Sequence, residues 1–128
     1  EVKKLDDYNF KKLSLIKIDV EGHELEDLKG SINTINNNLT SFLIEIEERH
    51  KKDNIKKVLN FFLKLNYKGF FIVNTKILNI SKLDIRKYQN LNNKNNIYIN
   101  NFFFVHKTKS IHLKHQILFD DEAFQFQE

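Results

Sequence analysis

Cysteine is absent from this chain of 128 residues. That excludes disulfides, thiol nucleophiles and cysteine-ligated zinc, and it fits a cytoplasmic protein. Proline, methionine and tryptophan are missing too, and glycine occurs three times, at Gly22, Gly30 and Gly69. Glycines so far apart form neither a G-x-G-x-x-G turn nor a phosphate-cradling P-loop, which need several within a few residues. No apolar run approaches the roughly 18 residues that span a bilayer, so no membrane partner is expected. The first residues lack the charged, apolar and small segments of a signal peptide. Residue 1 is Glu rather than Met, which reads as a processed chain or a piece of a longer one.

Hydrophobic residues make up 41% and charged residues 30% of the chain, a composition that folds rather than stays disordered, and the length is that of one domain. The excess of Lys, Asn, Ile and Phe looks like A+T-rich coding before it looks like function. The net charge of +4 invites a nucleic-acid reading. However, only Arg49 and Arg86 are arginines, and the lysines alternate with acids from Lys3 to Lys114. A phosphate-binding stripe is clustered, so no nucleic-acid partner is expected.

Residues 1–12 read as a polar lead-in in which Leu5 and Tyr8 pack locally. Leu13–Val20 is short and rich in β-branched residues, a strand. After Glu21-Gly22, the spacing of Leu25, Leu28, Ile32 and Ile35 predicts an amphipathic helix over His23–Asn36. Thr40–Glu47 is a second strand. Asp53 is an N-cap for a helix with Ile55, Val58, Leu59, Phe62 and Leu63 as its stripe. Gly69–Val73 is a third strand, Asn74-Thr75-Lys76 a turn, and Ile77–Ile80 a returning strand. Residues 81–96 read as a loop, Ile97–His106 as the last strand, and the end of the chain as frayed. Strands alternating with helices imply a mainly parallel sheet with helices on its faces, and such sheets bind ligands at the carboxyl ends of their strands.

The segment Ile16-Lys17-Ile18-Asp19-Val20-Glu21-Gly22-His23-Glu24 carries the most chemistry. Residues two apart on a strand share a face, so Lys17, Asp19 and Glu21 lie opposite Ile16, Ile18 and Val20. Three charges on one face place the strand at an edge, pair the charges, or line a polar site at its end. Asp19 and Glu21 are nearest the carboxyl end, while Lys17 suits a carboxylate partner. His23 and Glu24 begin the helix. Glu45 is either a carboxylate at the mouth of the site or a partner for Lys17. His50 and His106 follow strands without local partners and read as surface residues. A second reading takes Asp19, Glu21, His23 and Glu24 as hard-metal ligands of a hydrolase, but H-E-x-x-H is absent. His112 and His115, three apart, would share a helix face that a metal can bridge.

The run IKIDVEGHELEDLKG, Ile16–Gly30, resembles the signature segment of the FkbM-like methyltransferases. The resemblance extends over Val2–Leu5, LIEI at Leu43–Ile46, Gly69–Ile80 and NNFFFV at Asn100–Val105. It implies an α/β fold: the C-terminal part of a Rossmann-like class I methyltransferase sheet, mainly parallel with an antiparallel last strand between Thr40–Glu47 and Gly69–Val73. Residues 1–107 would form this portion and 108–128 a tail. The cofactor implied is S-adenosylmethionine, and the acceptor a hydroxyl of a small molecule or glycan. Asp19 would face the cofactor and, with Glu21 and His23, supply the catalytic base. The resemblance begins at the lead-in to the family's fourth strand. The glycine-rich turn and the ribose-binding acid would then lie upstream, and the isolated chain is expected to be inactive. Leu13–Val20 would keep an unpaired edge, inviting self-association. The alternative is a non-catalytic α/β module that completes its sheet with a partner chain.

Overall fold

The computed structural model describes residues 1–92 and 97–113, with side chains through residue 110. Five strands form one sheet: β1 (Leu15–Ile18), β2 (Ser41–Glu45), β3 (Tyr67–Val73), β4 (Lys76–Asn79) and β5 (Asn101–His106). Their order across the sheet is β1-β2-β5-β3-β4. β1 and β2 pair in parallel, with Leu15 opposite Ser41. β5 lies between β2 and β3 and runs antiparallel to both, with Ile44 opposite Phe102 and Gly69 opposite Phe104. The predicted insertion of the last strand is therefore what the fold shows. The expectation of a mainly parallel sheet needs correction, because that insertion and the β3–β4 hairpin make the other three pairings antiparallel. Asn74 and Thr75 close the hairpin with φ of 47° and 69°, the left-handed pair that a two-residue turn between twisted strands requires.

Alternation along the strands builds one principal core. Ile18, Phe42, Ile44, Phe71, Phe102 and Phe104 point to the face where Leu28, Ile35, Ile55, Val58 and Phe62 are also buried. These last residues come from α1 (Glu24–Lys29), α2 (Ile32–Asn38) and α3 (Asn54–Lys64). Phe62 stacks on Phe104 with ring centroids 4.1 Å apart. A second, small cluster holds Phe70 with Ile77 and Phe103. Helices were expected on the faces of the sheet, and α1, α2 and α3 all contribute to the principal cluster. Gly69 is where sheet and core come closest: a Cβ there would sit 2.9 Å from side-chain atoms of both Ile80 and Phe104.

Three local expectations change. The helix predicted over His23–Asn36 is two helices, broken at Gly30-Ser31. The Gly30 carbonyl accepts from the Asp6 amide at 3.1 Å, and Asp6 caps α2 through the Asn33 and Thr34 amides at 3.0 and 2.8 Å. The lead-in is thus bound to α2 as well as packed locally, where Tyr8 stacks on Phe10 with ring centroids 5.9 Å apart, and its residues Leu5–Tyr8 form a 3-10 turn. The predicted loop contains a 3-10 turn at Ile80–Lys82 and α4 (Ile85–Tyr88). The last strand begins at Asn101 rather than Ile97, and α5 (Lys107–Leu113) follows it directly. His115 and the side chain of His112, weighed as a metal pair, lie outside the described residues.

Candidate functional site

The signature segment ends β1 with a tight turn. The His23 amide bonds the Val20 carbonyl at 2.9 Å, with φ of 26° at Glu21 and 94° at Gly22. The second value is one that glycine adopts without cost. A buried acid, Glu24, holds the turn from below. It is 1% exposed, accepts from the Gly22 amide at 3.0 Å, and accepts from the Asn54 side-chain amide at the start of α3. Sequence reasoning placed Glu24 as a helix-start residue. Its burial depends on Asn54, thirty residues away, which no local pattern reveals.

Two hollows meet at Asp19. A large one, about 760 Å³, runs along the free edge of β1 between the lead-in and α1, with Ile16, Ile18 and Val20 in its wall. A small one, about 110 Å³, lies at the carboxyl ends of β1 and β2. It is lined by the carboxylates of Asp19, Glu21, Glu24, Glu45 and Glu47, together with Arg49 and His50. Asp19 is the residue common to both walls. Its carboxylate lies 3.5 Å from the Lys17 ammonium, and both side chains are more than half exposed, at 51% and 57%. Such a pair contributes little stability and leaves both groups open to a ligand. Glu21 is exposed beside it. His23 is exposed at the start of α1 and lines neither hollow. The structure thus brings Asp19 and Glu21 together and leaves His23 aside.

The far wall of the small hollow is a charged network that the sequence did not reveal. Glu47, 7% exposed, receives Arg49 through two nitrogens at 2.7 and 3.0 Å. The Tyr98 hydroxyl donates to it as well, and His50 Nε2 lies 3.7 Å away. The Arg49 bond, outweighing the opposing effect of burial and joined by Tyr98, holds the Glu47 carboxyl below its ordinary range. Burial, followed by the bond to Glu47, pushes the Tyr98 phenol up to about 12. Glu45 is half-buried and accepts from the Asn100 side chain at 2.7 Å, so it belongs to the mouth of the site, and Lys17 pairs with Asp19 instead. Gln89 fixes this wall from α4's end: its amide nitrogen donates to the Ile46 and Ile99 carbonyls at 2.8 and 2.9 Å, and its oxygen accepts from the Glu48 amide at 2.9 Å.

His50 is exposed, as expected, but it lines the small hollow beside Glu47, and the reading of His106 needs revision. His106 is half-buried, edge-on to the Tyr67 ring at 5.2 Å, and burial with Lys109 and Lys107 lowers its imidazole pKa. Among the described residues, no group of three or more His, Asp or Glu side chains is placed to hold a metal ion. Among those residues, no helix is long and apolar enough to cross a membrane.

Comparison with known proteins gives one match. The family model described as the methyltransferase FkbM domain matches residues 2–69, more than half of the chain. That span runs from the lead-in through β1, the turn, α1, α2, β2 and α3. No curated protein and no solved structure matches.

Proposed function

The chain belongs to the family of FkbM-domain methyltransferases, and from that premise we propose that it carries the acid–base side of a methyl transfer from S-adenosylmethionine to a hydroxyl of a small molecule or glycan. The observation that carries this reading is the position of Asp19 where the two hollows meet. The large hollow is of a volume that holds a cofactor-sized ligand, and the small one is polar and sized for a hydroxyl group. The residues present fit one part of the cofactor, because carboxylates at a strand's end suit a cationic centre. Among the described residues there is no glycine-rich turn for its methionine end.

S-adenosylmethionine supplies, when bound, an electrophilic methyl group on a sulfonium. This chain's residues do the rest of what it can do. Asp19 would balance positive charge at the junction and take the acceptor hydroxyl's proton at its carboxylate while the methyl carbon exchanges its bond to sulfur for one to the acceptor oxygen. Glu21 is the second carboxylate in reach of the same space, whereas His23 lines neither hollow. Glu24 and Gly22 hold Asp19 and Glu21 in position, since small displacements of positioned groups cost large factors in rate. Glu45, Glu47 and Arg49 give the small hollow the donors and acceptors that orient a polyhydroxyl acceptor.

A calorimetric titration tests the division of labour. The 128-residue chain is expected to show no saturable binding of S-adenosylmethionine at micromolar concentration. Several hydrogen bonds to the cofactor, each worth about 1–3 kcal/mol, are missing, which weakens a micromolar site beyond roughly millimolar. Adding a polypeptide with the complementary strands and a glycine-rich turn should restore binding. Micromolar binding by the chain alone would place the cofactor site elsewhere. The second reading, a non-catalytic module that completes its sheet with another chain, is favoured by the unpaired side of β1 among the described residues.

A further inference from the structure

The outer side of α3 carries a group of cations without counter-charges. The alternation of lysines with acids holds in the first half of the chain and stops at Asp53. From Asn54 to Ser110 one acid, Asp84, stands against ten lysines and an arginine. Such an imbalance between halves suits a polyanionic partner. α3 concentrates that charge. Its buried side is Asn54, Ile55, Val58 and Phe62. At the helical period, Lys56, Lys57 and Lys64 share the opposite arc, and all are exposed. The Lys57 ammonium reaches the Lys52 carbonyl at 3.5 Å, which brings exposed Lys52 beside them. At the other end the Asn66 carbonyl accepts from the Lys107 amide at 2.9 Å, so Lys107, exposed at the start of α5, adds an ammonium near Lys64. None of these lysines is in an ion pair among the described residues. Glu48 is spent on the Asp53 and Ile55 amides at 2.6 and 2.8 Å, and Glu26 on Lys51 at 2.9 Å. Asp53, exposed in the turn before α3, offsets one lysine. Leu63 lies on the same arc as Lys56 and Lys64 and is 50% exposed.

We propose that this side of α3 docks on the anionic surface of a lipid bilayer, the helix lying along it. The absence of a membrane partner was expected because no run can span a bilayer, and a helix that lies on the surface needs no such run. An anionic bilayer attracts lysines that come within about a Debye length, ~10 Å at moderate salt. Lysine is a point charge on a flexible stem, so Lys52, Lys56, Lys57, Lys64 and Lys107 act together without a fixed geometry. Leu63 decides between the two polyanions that this charge would suit. A bilayer takes an exposed leucine into the boundary between headgroups and acyl chains, whereas the phosphates of a nucleic acid offer it no apolar phase. Base reading is chiefly the work of arginine, and this side of α3 has none. Arg49 is held by Glu47 and Arg86 belongs to α4. This inference does not depend on the methyl-transfer reading.

Cosedimentation of the 128-residue chain with vesicles of phosphatidylglycerol and phosphatidylcholine in equal parts tests it. Vesicles of phosphatidylcholine alone and a DNA duplex serve as comparisons. Binding to the anionic vesicles at low salt is expected, weakening as salt rises, with none to phosphatidylcholine alone. Lys56→Gln/Lys64→Gln should weaken it by about twentyfold, at roughly fivefold per lysine. Lys3→Gln/Lys76→Gln makes the same change in net charge at exposed residues of the lead-in and β4, and should weaken it by less than about threefold because those charges are screened from the contact. Leu63→Ser should weaken vesicle binding by several-fold and leave any affinity for the duplex unchanged. All five substituted side chains are exposed, and circular dichroism reports whether each variant is folded. No binding to the anionic vesicles at low salt, or equal binding to phosphatidylcholine alone, would overturn the proposal. So would a folded Lys56→Gln/Lys64→Gln chain that binds undiminished, or a Leu63→Ser chain that keeps full affinity for vesicles. Tighter binding to the duplex than to the vesicles would overturn it as well, and would assign this side of α3 to a nucleic acid.

Discussion

Three acids, Glu24, Glu47 and Asp6, set the energetics at the scale of single residues. Removing Glu24 strands a buried Gly22 amide and a buried Asn54 side chain. Glu24→Ala is therefore expected to cost about 3 kcal/mol, read as a lower urea midpoint with an unchanged slope. Glu47 and Asp6 contribute to the acid limit of stability. Burial alone would raise the Asp6 pKa, but the Asn33 and Thr34 amides and Lys4 outweigh it, so Asp6, like Glu47, titrates below its ordinary value. Each stabilises the fold fully above the unfolded carboxylate range near 4, and that contribution is lost as pH falls through the lower folded value. In Glu47→Gln the acid side of the stability–pH curve should flatten, measured by thermal melts from neutral pH downwards. An unchanged curve would remove Glu47 from the account. Asp19 was legible as a site residue because strand parity and strand end both point to it. Glu47, Tyr98 and Asn100 were not, because their hydrogen bonds join residues more than fifty positions apart.

Secondary-structure elements were legible where periodicity and burial agree. α3 kept the stripe read from Ile55, Val58 and Phe62 because those side chains meet the sheet. The break between α1 and α2 was not foreseen, since Leu25, Leu28, Ile32 and Ile35 continue at helical spacing across it. What interrupts the helix is the lead-in, whose Asp6 takes the Gly30 carbonyl and the amides of α2. Gln89 is a similar case, a single side chain in an apparent loop that ties the end of β2 to the start of β5. Gln89→Ala should loosen that wall of the small hollow. Faster hydrogen exchange at the Glu48 amide, with α3 unaffected, is the expected signature, and protection equal to that of the unsubstituted chain would contradict it.

For the whole molecule, sheet order and the open edge of β1 followed from the resemblance. Composition and pattern alone reached an α/β sheet with its site at the carboxyl ends. The two hollows are a property of the edge: where β1 has no neighbour among the described residues, its apolar face and its terminal acid open onto the same space. The account therefore rests on Asp19 acting where the hollows meet. Turnover of Asp19→Asn in the cofactor-binding assembly tests this most directly, because Asn keeps the shape but neither accepts the proton nor balances the sulfonium charge. Methyl transfer is predicted to fall by about a hundredfold or more while affinity for S-adenosylmethionine changes far less. Turnover equal to that of the unsubstituted protein would contradict the account and leave Glu21 as the remaining carboxylate at the junction.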